Sequence, residues 1–65
     1  MSLVKWVKCW STVHGDTSWN EHTANMFDGE HLGLRYNTTL SNSTWLRFHV
    51  INDKLYTYAR LKFNI

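Results

Sequence analysis

Residues 44–65 read TWLRFHVI, then Asn52-Asp53, then KLYTYARLKFNI, and the reading of this stretch decides the fold. Apolar and polar residues alternate on both sides of Asn52-Asp53, the pattern of two half-buried strands. Asn and Asp both tolerate positive φ, so the pair suits a two-residue hairpin turn. That turn sets Val50 opposite Leu55, Phe48 opposite Thr57, Leu46 opposite Ala59 and Thr44 opposite Leu61. On the other face His49 meets Tyr56, Arg47 meets Tyr58 and Trp45 meets Arg60. Because side chains alternate across a strand, one register sorts both strands at once. One face is apolar and belongs on a core; the other combines aromatic rings with cations.

Working outward, residues 31–37 (HLGLRYN) alternate cleanly and predict another strand, with Gly33 marking a bulge or a close backbone approach. Residues 37–43 (NTTLSNS) predict a polar loop. Residues 18–28 favour a helix: Ser18-Trp19-Asn20-Glu21 matches a capping box, Gly29 suits the position past a helix end, and Trp19, Thr23, Met26 and Phe27 share a helical face. Asp28-Gly29 is also a hairpin signal, which keeps a strand here as the alternative. Residues 3–13 (LVKWVKCWSTV) are β-branched and aromatic, and predict a strand ended by His14-Gly15-Asp16.

The expected fold is therefore α+β, in the order β-α-β-β-β, with one helix packed on a mostly antiparallel four-stranded sheet. The alternative is an all-β five-stranded meander or small barrel. The 65 residues allow one domain, spanning residues 1–65. A chain this short buries only about 60% of its unfolded surface. Its four Trp, three Tyr and three Phe partly compensate, and pairing with a second copy as a homodimer is a further route.

Cys9 is the lone cysteine, so no internal disulfide forms, and a buried apolar role is expected for it. The opening MSLVKWVKCW holds two lysines and no small-residue cleavage site, unlike a signal peptide. No apolar run approaches the roughly 20 residues of a membrane span. The expected setting is cytoplasmic and reducing, where Asn37-Thr38-Thr39 and Asn42-Ser43-Thr44 are glycosylation sequons in pattern only. A viral or mobile-element origin is an expectation from size alone.

The net charge of +2 is too small to mark a nucleic-acid binder by itself. Its distribution says more. Residues 14–30 carry Asp16, Glu21, Asp28 and Glu30 without Lys or Arg, whereas residues 44–65 carry Arg47, Lys54, Arg60 and Lys62 against Asp53. Lys5 and Lys8 add to the basic ends.

The expected working surface is the aromatic and cationic hairpin face: Trp45, Arg47, His49, Tyr56, Tyr58, Arg60 and Lys62. Trp, Tyr and Arg dominate protein interfaces, so a protein partner is favoured, met by this face or by an edge strand. The protein would then act as an inhibitor or accessory factor of a larger enzyme. Single-stranded nucleic acid is the alternative partner, since bases stack on rings while cations follow phosphates. The ordinary structural reading is that Arg47–Tyr58 and Trp45–Arg60 are cross-strand cation–π pairs, worth about 0.5–1 kcal/mol when exposed.

A third reading is a small metal-independent nuclease built on His49, Tyr56, Arg47 and Arg60, but an open sheet excludes little water. Cys9, His14, His22 and His31 match no zinc-ligand spacing, so no metal or cofactor is expected. His14, His22 and His31 read first as loop histidines, with a pH-sensitive contact in the acidic middle as the sharper reading.

Overall fold

A computed structural model describes residues 1–42 and 44–65. The chain folds as helix α1 (Leu3–His14), helix α2 (Glu21–Phe27) continued by a π-helical turn (Asp28–Leu32), strand β1 (Leu34–Tyr36), strand β2 (Phe48–Val50) and helix α3 (Asp53–Phe63). Neither the four-stranded sheet nor the five-stranded meander or barrel forms. The described residues hold one two-stranded antiparallel sheet, with Leu34 opposite Val50, Arg35 opposite His49 and Tyr36 opposite Phe48.

The expected hairpin at Asn52-Asp53 is replaced by the start of α3. Asn52 is its N-cap: the side-chain oxygen accepts the Leu55 N–H at 3.1 Å. Asp53 then places a negative charge in the first turn, while Arg60 and Lys62 lie in the last, as the helix dipole favours. Asn64 closes the helix with φ 56°, in the left-handed conformation Asn tolerates. Tyr56, Ala59 and Phe63 recur at helical spacing and pack on the core, with Ala59 fully buried and Leu55 half-buried on the same side. The strand pairing that does form reaches across the 37–47 connection, so β2 pairs with β1 and not with the segment after Asn52.

The N-terminal segment is also a helix. Ser2 accepts the Lys5 N–H at 3.3 Å as N-cap, and Gly15 closes α1 at φ 75°. Trp6, Cys9 and Trp10, spaced for one helical face, are all buried. Before the helix, Ser2 bridges Trp45 in antiparallel fashion, with the Leu46 N–H donating to the Met1 carbonyl at 2.7 Å.

The expected helix in residues 18–28 is present, but its capping box sits two residues later than Ser18. Asn20 accepts the Thr23 N–H, and Thr23 Oγ1 accepts the Asn20 N–H, both at 2.9 Å. Helical backbone does not stop at Gly29. It runs through the π turn to Gly33, whose N–H donates to the Asp28 carbonyl.

Gly33 is the junction of three segments. Its φ is +65°, and a Cβ there would lie 2.6 Å from the Asn52 carbonyl oxygen. Its own carbonyl accepts the N–H groups of Ile51 and Asn52 at 2.9 and 3.1 Å. The expected close approach is thus found, and it ties the start of β1 to the start of α3.

The core comprises Trp6, Cys9, Trp10, Phe27, Leu32, Leu34 and Ala59. Leu46 and Phe48 pack against it as expected, but Val50 is 46% exposed and Leu61 81% exposed, so the apolar face inferred for a hairpin is divided. The 37–47 connection is held by side chains. Asn37 Oδ1 accepts from the Thr39 and Leu40 N–H groups, and Asn42 Oδ1 from those of Thr44 and Trp45. These turns give both asparagines a structural use of their side chains; the middle residue of the second sequon, Ser43, lies outside the described residues.

Candidate functional site

The residues expected on one sheet face occupy three places. Trp45, Arg47 and Tyr56 line a shallow hollow beside β2, with Val50 and Phe48. His49 points to the other side of β2, where its Nε2 lies 3.2 Å from the Asn37 amide nitrogen. It pairs with Arg35 rather than Tyr56. Tyr58, Arg60 and Lys62 belong to α3, where helical geometry replaces the expected cross-strand pairs. Arg60 Cζ lies 5.9 Å from the centre of the Tyr56 ring, and Lys62 Nζ lies 5.9 Å from that of Tyr58 and 5.3 Å from that of Phe63. The Arg47–Tyr58 and Trp45–Arg60 pairs are not formed; both were consequences of a hairpin register that the helix abolishes.

The outer side of α3 forms a surface of its own. At 100° per residue, Lys54, Tyr58 and Leu61 fall within one narrow stripe, opposite Ala59 and Phe63. Leu61 is 81% and Tyr58 61% exposed. Lys62 flanks the stripe, whereas Arg60 lies about 100° round the helix from Leu61, with its guanidinium over the core-packed Tyr56 ring. Lys5 and Lys8 of α1 line a notch with Phe63, Asn64 and Ile65, which brings further positive charge to the end of the helix.

A second set of groups gathers around the tryptophans. Trp6 stacks on Trp10 at 5.7 Å, and Trp19 sets its edge against both, at 5.0 and 6.1 Å. Phe27 closes the cluster edge-on to Trp6 and Trp10. Trp19 stands between two depressions. In one, of about 480 Å³, His14 stacks on Trp10 at 4.0 Å and lies 6.3 Å from His31, with Glu30 and Met26 alongside. The helices bring His14 and His31 together, which loop histidines would not have shown.

In the other depression, of about 410 Å³, Asp28 lines the wall among Trp6, Trp19, Tyr36 and Phe48. Asp28 is 3% exposed, and its Oδ1 accepts the Trp6 indole N–H at 2.6 Å. Burial pushes its pKa from 3.8 up to about 6, against the opposing pull of that hydrogen bond. In the sequence Asp28 figures as the end of the expected helix 18–28, as half of the Asp28-Gly29 turn signal and as one acid of residues 14–30, and none of these marks it as buried. The signal that would have found it is its place between Phe27 and Leu32 on a continuing helix.

Two further groups behave ordinarily. Cys9 is buried as expected, and burial raises its thiol pKa. Asp16 accepts the Ser18 N–H and the Trp10 indole N–H, which together lower its pKa. Among the described residues no three His, Cys, Asp or Glu side chains converge in the geometry of a metal site, and no helix is long and apolar enough to cross a membrane.

The fold defines a small three-helix domain with a two-stranded sheet, carrying a cationic helix face and an aromatic cavity. Comparison with protein-family models, curated proteins and solved structures finds no match.

Proposed function

We propose that this protein works by binding another protein through the outer face of α3, as a small inhibitor or accessory factor of a larger enzyme. The observation that carries the reading is the exposure of Leu61 at 81% beside Tyr58 at 61%, on a helix whose core-facing side is already satisfied by Ala59, Tyr56 and Phe63. Covering a leucine and a tyrosine yields about 1.5–3 kcal/mol each for complete burial, the scale of an interface hot spot. Lys54 and Lys62 border the pair, so the complementary surface is an apolar groove flanked by carboxylates.

Charge and ring geometry favour this partner over single-stranded nucleic acid. Stacking needs free ring faces in series, but Trp45 and His49 lie away from the α3 stripe, and the Lys62 ammonium lies over Tyr58. The nuclease reading loses its arrangement too, because His49 faces away from the hollow of Arg47 and Tyr56. A cytoplasmic setting belongs to the same proposal, since Cys9 is kept as a buried thiol.

The test is recovery of partners from host extract by the tagged chain, with and without nuclease, for the wild type and a Tyr58→Ala/Leu61→Gln/Lys62→Glu variant. A protein partner retained after nuclease and lost by the variant supports the reading. Equal recovery by the variant, or recovery abolished by nuclease, contradicts it.

A further inference from the structure

We propose that the cavity between α1, α2 and the sheet is a binding site for an organic cation, an alkylammonium or guanidinium group, with Asp28 as its counter-ion and Trp6, Trp19, Tyr36 and Phe48 as its walls. This site is separate from the α3 face and does not rest on the docking reading.

Its volume, about 410 Å³, falls in the roughly 300–1,000 Å³ range of small-molecule sites. Four of its lining residues are aromatic, and ring faces attract cations, most strongly where water is excluded. Opposite such rings a carboxylate supplies both charge and hydrogen-bond acceptors. Asp28 Oδ1 already accepts from Trp6, which fixes the carboxyl group in place. Among the described residues no fully buried side-chain oxygen lacks a hydrogen-bond partner, so any free acceptor position of this carboxylate opens to the cavity. Asp28 as a residue is 3% exposed, yet it lines the cavity. An ionised carboxylate so placed lacks a counter-charge, and a cation entering the cavity provides one. The glutamate at the rim, Glu21, adds attraction at the entrance.

Two structural details point the same way. Asp28 opens the π-helical turn, and such turns occur disproportionately at functional sites. A buried, poorly compensated carboxylate also weakens a small fold, and groups retained at such cost concentrate where ligands bind. Of the other residues lining the cavity only Glu21 and Tyr36 carry an ionisable group. Among the described residues no charged side chain of α1, the strands or α3 acts on the Asp28 carboxyl group.

The experiment titrates phenethylammonium into the full chain at pH 7.5 and pH 5, following tryptophan fluorescence and NMR shifts, with 2-phenylethanol as the neutral isostere. Saturable binding of the amine should weaken about tenfold at pH 5, where about one Asp28 in ten stays ionised. Asp28→Asn should weaken it at least tenfold at pH 7.5, and the alcohol should respond to neither change. The pH arm uses the unaltered chain, so the outcome does not depend on how the variant folds. Parallel titrations with N-acetyl-lysine amide and N-acetyl-arginine amide distinguish a protein side chain from a free amine as the source. No saturable binding of any of these cations, or binding indifferent to both pH and Asp28→Asn, would overturn the assignment.

Discussion

Replacing Asp28 by Asn should make the protein more stable above pH 6 and leave it nearly unchanged below pH 4. The reason lies in where the carboxyl group loses its proton. Unfolded, it does so near 3.8; folded, burial holds the proton until about pH 6. Between those values the native state binds more protons than the unfolded chain, so stability falls as pH rises, and the loss is complete above the folded value. At about 1.4 kcal/mol per pH unit, the gap from 3.8 to about 6 amounts to about 3 kcal/mol. That is a large share of the stability of a 65-residue domain.

Asparagine keeps an oxygen for the Trp6 indole N–H and never ionises. Urea denaturation followed by circular dichroism at pH 4, 5, 6, 7 and 8, with both proteins in parallel, isolates the effect from the other titrating groups. The variant's advantage should grow from about 0.5 kcal/mol at pH 4 to about 3 kcal/mol above pH 7, or upwards of about 10 °C in melting temperature. An advantage that does not change with pH, or a variant less stable at pH 8, would refute the reasoning. If the same variant also loses amine binding, Asp28 is a residue kept for its ligand against its cost to the fold.

Other outcomes follow from the junctions and caps. Gly33→Ala should cost about 2–4 kcal/mol by denaturant titration, because the left-handed φ and the 2.6 Å approach to the Asn52 carbonyl act together. A change within 0.5 kcal/mol, taken roughly as the surface-mutation scale, would contradict that junction. Asn52→Ala should cost about 1 kcal/mol through loss of the Leu55 N–H acceptor, with a fall in helical ellipticity; under a hairpin no ellipticity would be lost. Leu61→Gln should change stability by no more than about 0.5 kcal/mol, since the side chain is 81% exposed. A loss of 2 kcal/mol or more, roughly the cost of a buried leucine, would place Leu61 in a core.

The parts of this fold that could be read from the sequence are those with a single periodicity. Residues 34–36 alternate and form a strand, and Gly33 marked the close approach it makes. Trp19 to Phe27 pointed to a helix, and one formed at its centre. Residues 53–63 failed because they satisfy two patterns at once. Leu55, Thr57, Ala59 and Leu61 alternate, while Leu55, Tyr56, Ala59 and Phe63 follow a helical face. The deciding signals were local: Asn52 before Asp53, cations in the last turn, and Asn64 beyond it. Residues 3–13 posed the same ambiguity, and Ser2 and Gly15 resolved it as caps.

The candidate surface was legible in residue type and not in arrangement. Tyr58 and Lys62 do lie together, but one turn apart on a helix; Leu61 joins them because the helix turns it outward, and Arg60 turns to Tyr56 instead. The Asp28–Trp6 hydrogen bond joins residues separated by 22 positions, through a π turn that no local pattern announced. His14 and His31 meet for a similar reason, across the end of α1 and the same turn.

The claim that the outer face of α3 docks on a protein is tested most directly by photo-crosslinking from position 61 in host cells. A benzophenone side chain introduced there should yield a discrete protein adduct that survives nuclease treatment, while the same group at His22 on α2 should not. Adducts with nucleic acid alone, or the same protein adduct from both positions, would contradict it.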